Sequence, residues 1–462
     1  MASPTTHLRQ LVNLISESVD KIEQAYNARS EPLPSLESTD PRLPEVAFEP
    51  DVLKATAALT AACTQLQHTV QPQTTQIFHS ASAHHLSACL NVAIRTHAAE
   101  ALRSAGDKGL HVRDIAKFSP IQPEKLARCL RMLASHYIFR EVAPDVFANN
   151  RLSVQIDTGK DAEILRSQDL KAVPSCAHAP PLTFGFSPCS TEFQFNIAAK
   201  LPETILDPHT ADSTSVDNAA VTRVTGQKLG MFDWLMQPEQ SKYRSIFNNA
   251  MVGVEMYNVP EFILHEDIGW KNLPAGSVVV DVAAGVGTHS LIVARAHPHL
   301  RVIVEDLPAT IEQAKDYWKT NLPEAVSSGR VEFQSYDFFQ PNAVNGAAVY
   351  FCRQTIHNWP DKEAVQILKQ MAEAADESSR IVIIGHVMLP ACREQSSSWS
   401  FEPAPEPLLA NYGMASRTAY VTDIIMMGTF NAVSSISYPP PRANHISLVS
   451  SNNGRALSTP SS

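Results

Sequence analysis

The stretch from Val278 to Pro308 carries the residue types and spacings that a nucleotide-binding turn requires. Val278, Val279, Val280 and Val282 are β-branched and suit a strand covered on both faces of a parallel sheet. Asp281 lies near the end of that strand, and Gly285 and Gly287 follow where the backbone must turn sharply and approach a ligand. Leu291 to Ala296 supplies a helix, Arg301 to Val304 the next strand, and Asp306 stands nineteen residues past Gly287. In a Rossmann-like unit an acid at that distance accepts hydrogen bonds from ribose hydroxyls. The dinucleotide fingerprint asks for a third glycine where this chain has Ser290, which weakens a nicotinamide-dinucleotide oxidoreductase. The alternative pattern is acid-x-Gly-x-Gly-x-Gly, the signature of S-adenosylmethionine (SAM) sites. It matches Asp281, Gly285 and Gly287, with Ala283 in place of the first glycine. Taken alone, the loop also fits a purely structural strand-turn-helix.

Two later strand ends add polar groups. Asp337 follows a third strand, where an open α/β sheet binds its ligand, and it can accept from an adenine amino group while Phe338 lies on the base. As a lone pair this is a weak signal, because Asp begins many loops. The next strand, Ala347 to Cys352, runs into Arg353 and on to His357-Asn-Trp-Pro-Asp361. His357 lies just beyond that strand's carboxyl end, in the same crevice, with Trp359 and Pro360 stiffening the turn. Most of the seventeen histidines, His84, His85 and His97 among them, read as structural or exposed. His357 differs because its neighbours fix it over the nucleotide site.

The elements that must position these groups alternate strand and helix at 278–282, 288–297, 301–305, 309–319, 331–334, 347–351, 361–376 and 380–386. Such alternation predicts an α/β fold with a parallel sheet and helices on both faces. Upstream, helical spacing predicts amphipathic helices over 6–28, 51–69 and 84–104, with a proline-rich linker at 32–50. Residues 92–155 read as a winged helix-turn-helix, with a turn, short strand and helix start at 109–116, a helix opened by Pro123 and running to Ala134, and two wing strands at 137–142 and 145–148. Lys125, Arg128 and Arg131 on that helix suit DNA phosphates or, more simply, a solvated face. Residues 156–230 show no clean period, and 173–195 reads as an irregular insertion. The resulting divisions are N-terminal helices and linker (1–75), the winged-helix region (76–160), a connector (161–245), a nucleotide domain (246–431) and a tail (432–462).

Composition bounds the function. A chain of 462 residues, 44% hydrophobic and 18% charged, is globular and long enough for two or three domains. A formal charge of −10 excludes a nucleic-acid surface covering the whole protein. There is no apolar run of membrane-spanning length and no signal-peptide core, and the seven cysteines show no CxxC or zinc spacing. The expectation is a soluble, cytoplasmic protein with reduced thiols.

Asp281-x-Ala-Ala-Gly-x-Gly, Asp306-Leu-Pro308, Asp337-Phe-Phe339 and His357-Asn-Trp-Pro-Asp361, in that order, resemble the motifs of SAM-dependent small-molecule O-methyltransferases. These are the plant caffeate-type enzymes and especially their fungal relatives, and the likeness runs from about residue 80 to about 431. The resemblance implies a Rossmann-like SAM domain behind a winged-helix domain that forms a homodimer and closes the substrate pocket, without binding nucleic acid or membrane. It implies that Gly285 and Gly287 approach the methionine part of SAM, Asp306 the ribose, and Asp337 and Phe338 the adenine. Arg353 falls where plant relatives carry a lysine near the cofactor, and His357 is implied as general base for a phenolic or polyketide-like substrate. Three departures stand out. Ala283 and Ala284 replace glycines, and His386 occupies the place of a carboxylate that orients the base in plant relatives. After Asn431 the family's Glu-Arg-Thr turn and last strands do not follow. The Ser/Asn-rich tail is expected to be disordered and to leave the sheet incomplete, as a misread splice or frame near Ala432 would produce. A methyltransferase-like interaction partner without activity is the alternative.

Overall fold

A computed structural model of the chain describes residues 4–40, 42–167, 189–241, 243, 244, 247, 263, 264, 268–386, 388–393, 403–432, 446–450 and 455–458. Near the N-terminus the helix Pro4–Ala28 lies along Pro50–Val70. Ala55, Ala58, Ala61 and Ala62 form the buried side of the second helix, and side chains that small let its partners come close. The partner of this pair lies far along the same chain, since Leu11, Ala58 and Ala62 pack with Ala404, Leu408 and Tyr412.

The expected helix over 84–104 divides into His84–Arg95 and Ala98–Arg103. The break falls at Thr96 and His97; the Thr96 hydroxyl bonds back to the Val92 carbonyl at 2.9 Å, and His97 takes φ 54°. Next come β1 (Leu110–His111), the helix Pro123–Ala134, β2 (Arg140–Ala143) and β3 (Val146–Ala148). The three strands form a small antiparallel sheet in the order β1-β3-β2. Leu126, Leu130 and Leu133 line one buried side of the helix, as their spacing predicts. Arg131, a candidate phosphate contact, is tied to Glu141 at 2.6 Å and Asp145 at 2.9 Å.

The region expected to be irregular is helical wherever it is described, while Val173 to Pro188 lies outside the described residues. A π-helical turn, Cys189–Gln194, leads into the helix Phe195–Leu206, with short helices Ala220–Thr225 and Met231–Met236 following. Phe193, Ile197, Val221, Trp234 and Phe430 share one cluster, so this helix is held by docking on the helix Arg417–Phe430.

The large sheet contains β4 (Val278–Val282), β5 (Arg301–Asp306), β6 (Val331–Ser335), β7 (Val349–Arg353), β8 (Arg380–Gly385), β9 (Ile446–Ser450) and β10 (Arg455–Ser458). Their order is β10-β9-β8-β7-β4-β5-β6, with all pairs parallel except β9 with β10. Alternate residues serve opposite faces. Val280, Val282, Tyr350, Cys352, Ile381 and Ile383 meet the helix Asp361–Ala374. Val279, Val349, Phe351, Val382 and Ile384 meet Trp270 and Val293 on the other side. The chain leaves β5 and β7 on opposite sides of β4, so the switch point that receives ligands in open α/β sheets lies between β4 and β7. Among the described residues no helix is long and apolar enough to cross a membrane.

Where the tail is described, at 446–450 and 455–458, it forms two strands and corrects the expectation of an incomplete sheet. β9 runs parallel to β8 from Ile381↔Ile446 to Gly385↔Ser450, and β10 folds back on it. Composition averaged over the tail hides these strands, because a ladder needs only backbone N–H and C=O groups over four or five residues. Ending the chain at Ala432 therefore strips the pairing from β8 and turns an inner strand into an edge. The expected outcome is a lower thermal midpoint and more aggregate by light scattering than in the full chain. An unchanged midpoint would show that β9 adds no stability.

Candidate active site

The loop after β4 is fastened to the end of β5. Ala284 N–H donates to the Glu305 carbonyl at 2.9 Å, and Gly285 N–H donates to Asp306 Oδ2 at 2.8 Å. Leu307 N–H donates to Asp306 Oδ1, also at 2.8 Å, so the carboxylate bridges the loop and its own strand end. Burial raises the Asp306 pKa, and the two backbone hydrogen bonds work against it. Gly287 has φ 77°, and a Cβ there would stand 2.7 Å from Trp318 Nε1. That indole donates to the Val286 carbonyl at 3.1 Å, so Gly287 makes room for a tryptophan that locks the loop. Ser290, the residue that spoils the dinucleotide pattern, is fully buried and its hydroxyl returns to the Gly287 carbonyl at 3.2 Å. Ala283 sits at φ 58°, in the left-handed region, at a cost of roughly 1 kcal/mol relative to glycine. Asp281 is buried on β4 between Val304 and Phe351, and with burial it pushes the Cys352 thiol up to about 12.

Beside this loop stand the other expected residues. Tyr336 N–H donates to the Asp306 carbonyl at 2.9 Å, which places exposed Asp337 at the mouth of the same crevice. Asp337 Oδ1 accepts from Phe339 N–H at 3.0 Å. Phe338 meets Phe339 and Trp359 edge-on, at centroid distances of 4.9 and 5.8 Å. Arg353 ends β7, with Nη1 3.3 Å from Nδ1 of His289 in the first turn after the glycine loop. Burial first and then Arg353 hold the His289 pKa well below its ordinary value, so the ring is neutral and accepts from the guanidinium.

His357 lies on the short 3-10 turn Ile356–Asn358 that follows β7. Gln354 makes the bend, at φ 52°, with its N–H on the Ile384 carbonyl at 2.9 Å and its carbonyl accepting from Asn358 Nδ2 at 3.1 Å. Burial, then His386, then Arg353 drive the His357 pKa down to about 3, while a backbone hydrogen bond to Gln354 acts in the opposite sense. The imidazole is therefore neutral near pH 7, and the Gln354 backbone orients it where a carboxylate would serve otherwise. All the expected residues thus come from the carboxyl ends of four neighbouring strands, β7, β4, β5 and β6. The set offers carboxylates to accept from hydroxyl and amino groups and a guanidinium to donate to an anion, the partners a nucleoside linked to an amino acid requires.

Sequence reasoning missed Glu305, which is fully buried next to Asp306. Its Oε2 accepts from Asn342 Nδ2 at 2.8 Å, Oε1 has no hydrogen-bond partner among the described residues, and burial raises its pKa from 4.5 to about 7. The folded state therefore favours the protonated acid, a stabilisation complete below the unfolded pKa and lost as pH rises through about 7. Glu305→Gln keeps an acceptor for Asn342 and removes the titration. Denaturant unfolding at about pH 5 and about pH 8 should show a flatter pH dependence, with the variant more stable at the higher pH by up to about 3 kcal/mol. A variant as pH-dependent as the parent would place the titration elsewhere.

Known proteins resemble this chain in sequence and in fold. The O-methyltransferase domain family matches residues 218–403. An O-methyltransferase of Armillaria gallica is 36% identical over 92% of this chain and 90% of its own length. The 4-O-methyltransferase 1 of Phanerochaete chrysosporium is 33% identical over 94% of this chain and 91% of its own. Among solved structures, LepI in complex with SAM superposes with a TM-score of 0.60 at 18% identity, over 83% of this chain and 85% of the other. The end-to-end likeness to the Armillaria enzyme, on a fold that gathers the ordered motifs at one sheet edge, shows that the chain belongs to the O-methyltransferase family.

Proposed function

We propose that this chain transfers a methyl group from SAM to a phenolic hydroxyl of a small secondary metabolite, with His357 as general base. The observation that carries the base is the neutral imidazole held at the end of β7, in the crevice that also contains the glycine loop. SAM, when bound, supplies a methyl group on a sulfonium, open to in-line attack by an oxygen nucleophile. Asp281, Gly285 and Gly287 would line its amino-acid part, with Arg353 facing the carboxylate. Asp306 accepts two backbone N–H groups and a side-chain hydrogen bond from Thr310, and its remaining lone pair would take a ribose hydroxyl. Asp337 and Phe338 would meet the adenine. The two relatives' names support a hydroxyl acceptor. The exposed Val70, Ile77 and Phe78 around the helix Gln73–Ala81 support a homodimer through the winged-helix region.

The depressed pKa constrains the proton's timing. Moving a proton fully from a phenol, pKa about 10, to an imidazole at about 3 is uphill by roughly 9–10 kcal/mol. The proton therefore leaves as the oxygen attacks, when developing phenolate character and the loss of the sulfonium charge favour each other. His357→Ala should lower transfer from labelled SAM by about 10²–10⁴-fold while keeping S-adenosylhomocysteine affinity. Near-parental turnover would remove His357 from the mechanism.

A second measurement separates the histidine's environment from its identity. With the base at about 3, protonation of His357 leaves kcat/KM untouched until well below pH 5. His386→Asp exchanges a group that depresses the base for a carboxylate that raises it. The acidic limb of kcat/KM should move up by at least about one pH unit in this variant. An unmoved limb would show that residue 386 does not act on the base.

A further inference from the structure

Gln354 combines two features that oppose folding. It is a non-glycine residue at φ 52°, and both polar atoms of its side-chain amide are shut off from solvent without a hydrogen-bond partner among the described residues. Buried amides are almost always satisfied, and strained backbone with unsatisfied polar groups collects at functional sites. Its backbone is anchored on both sides, by the Ile384 carbonyl and by Asn358, and is hydrogen-bonded to the His357 ring. The amide therefore belongs to the residue whose backbone holds the proposed base, and among the described residues it lacks a partner.

We propose that Gln354 is a substrate-binding residue whose amide recognises a second oxygen next to the hydroxyl that is methylated. The proposal rests on the phenol methyl-transfer reading above. A primary amide presents a donor and an acceptor side by side in one plane. A hydroxyl complements both at once, and a hydroxyl ortho to the reacting oxygen lies closest to a residue bonded to the base. The acceptor class is then an aromatic ring with vicinal oxygens. A ring without the second oxygen leaves the amide buried and unpaired, which is how polar sites reject such analogues.

The test compares catechol with phenol as acceptors of labelled methyl from SAM, in the parent, Gln354→Gly and Gln354→Asn. Glycine and asparagine both tolerate the left-handed backbone, so these changes remove or shorten the amide without adding strain. The parent should prefer catechol in kcat/KM by about tenfold or more beyond the statistical factor of two. In Gln354→Gly the preference should fall to about the statistical factor, with Gln354→Asn between. An equal preference in the parent, or one that survives in Gln354→Gly, overturns the proposal. A Gln354→Gly protein that no longer binds S-adenosylhomocysteine overturns it too, by assigning the amide to the cofactor. Activity in His357→Ala would instead refute the base, and the catechol-to-phenol ratio reads Gln354 independently of that result. Gln354→Met supplies a readout without substrate. It replaces an unsatisfied amide by an apolar chain of similar length, so the free protein should melt a few degrees higher. A lower midpoint would mark the amide as structural and overturn the assignment.

Discussion

Burial of β4 on both faces is the constraint on which the site depends. Val279, Val280 and Val282 have no exposed surface, and they face helices on opposite sides of the sheet. A strand so enclosed cannot slip by one residue without exchanging the faces of its side chains. That fixes where Asp281 stands and where the chain must turn. Pairing with β5 and β7 on either side then fixes where Asp306 and Arg353 end. The Gly285 bond to Asp306 closes the frame, so one backbone N–H joins two strand ends into a single rim.

Desolvation dominates the electrostatics of that rim. It is the leading cause at Glu305 and Asp306, whose pKa values rise, and at His289 and His357, whose values fall. Acids and imidazoles are pushed by the same physics toward their neutral forms. A crevice of that kind does little to stabilise a free imidazolium. It suits a reaction in which a cationic donor and a forming phenolate cancel each other, because no net charge has to be stabilised for long.

What could be read from the sequence follows from how local each signal is. The strand Val278–Val282 and the helix starting at Asp361 begin where their patterns predict, because β-branched runs and helix-opening residues act over a few neighbours. The motif residues converge because each sits at a strand's end, and a parallel sheet puts all such ends at one edge. The tail strands were hidden since β9 is only five residues long, in serine- and asparagine-rich surroundings. The helix Phe195–Leu206 was masked by Pro202 inside it, and docking against Arg417–Phe430 overrides that penalty. Glu305, His289, Trp318 and Gln354 carry no local signal. Their roles come from burial beside residues fifteen or more positions away, as with Glu305 and Asn342 or His289 and Arg353.

The packing of Leu11 and Ala62 against Leu408 and Tyr412 has a consequence for synthesis. Nearly the whole chain separates these partners. At about 5–20 residues per second, a ribosome needs roughly 20–80 s to make the intervening stretch. The first two helices can pair with each other early, but their alanine-lined flank has nothing to cover it during that interval. A holding chaperone with a taste for small apolar helix faces would find its longest window here. A segment made late thus seals one made early.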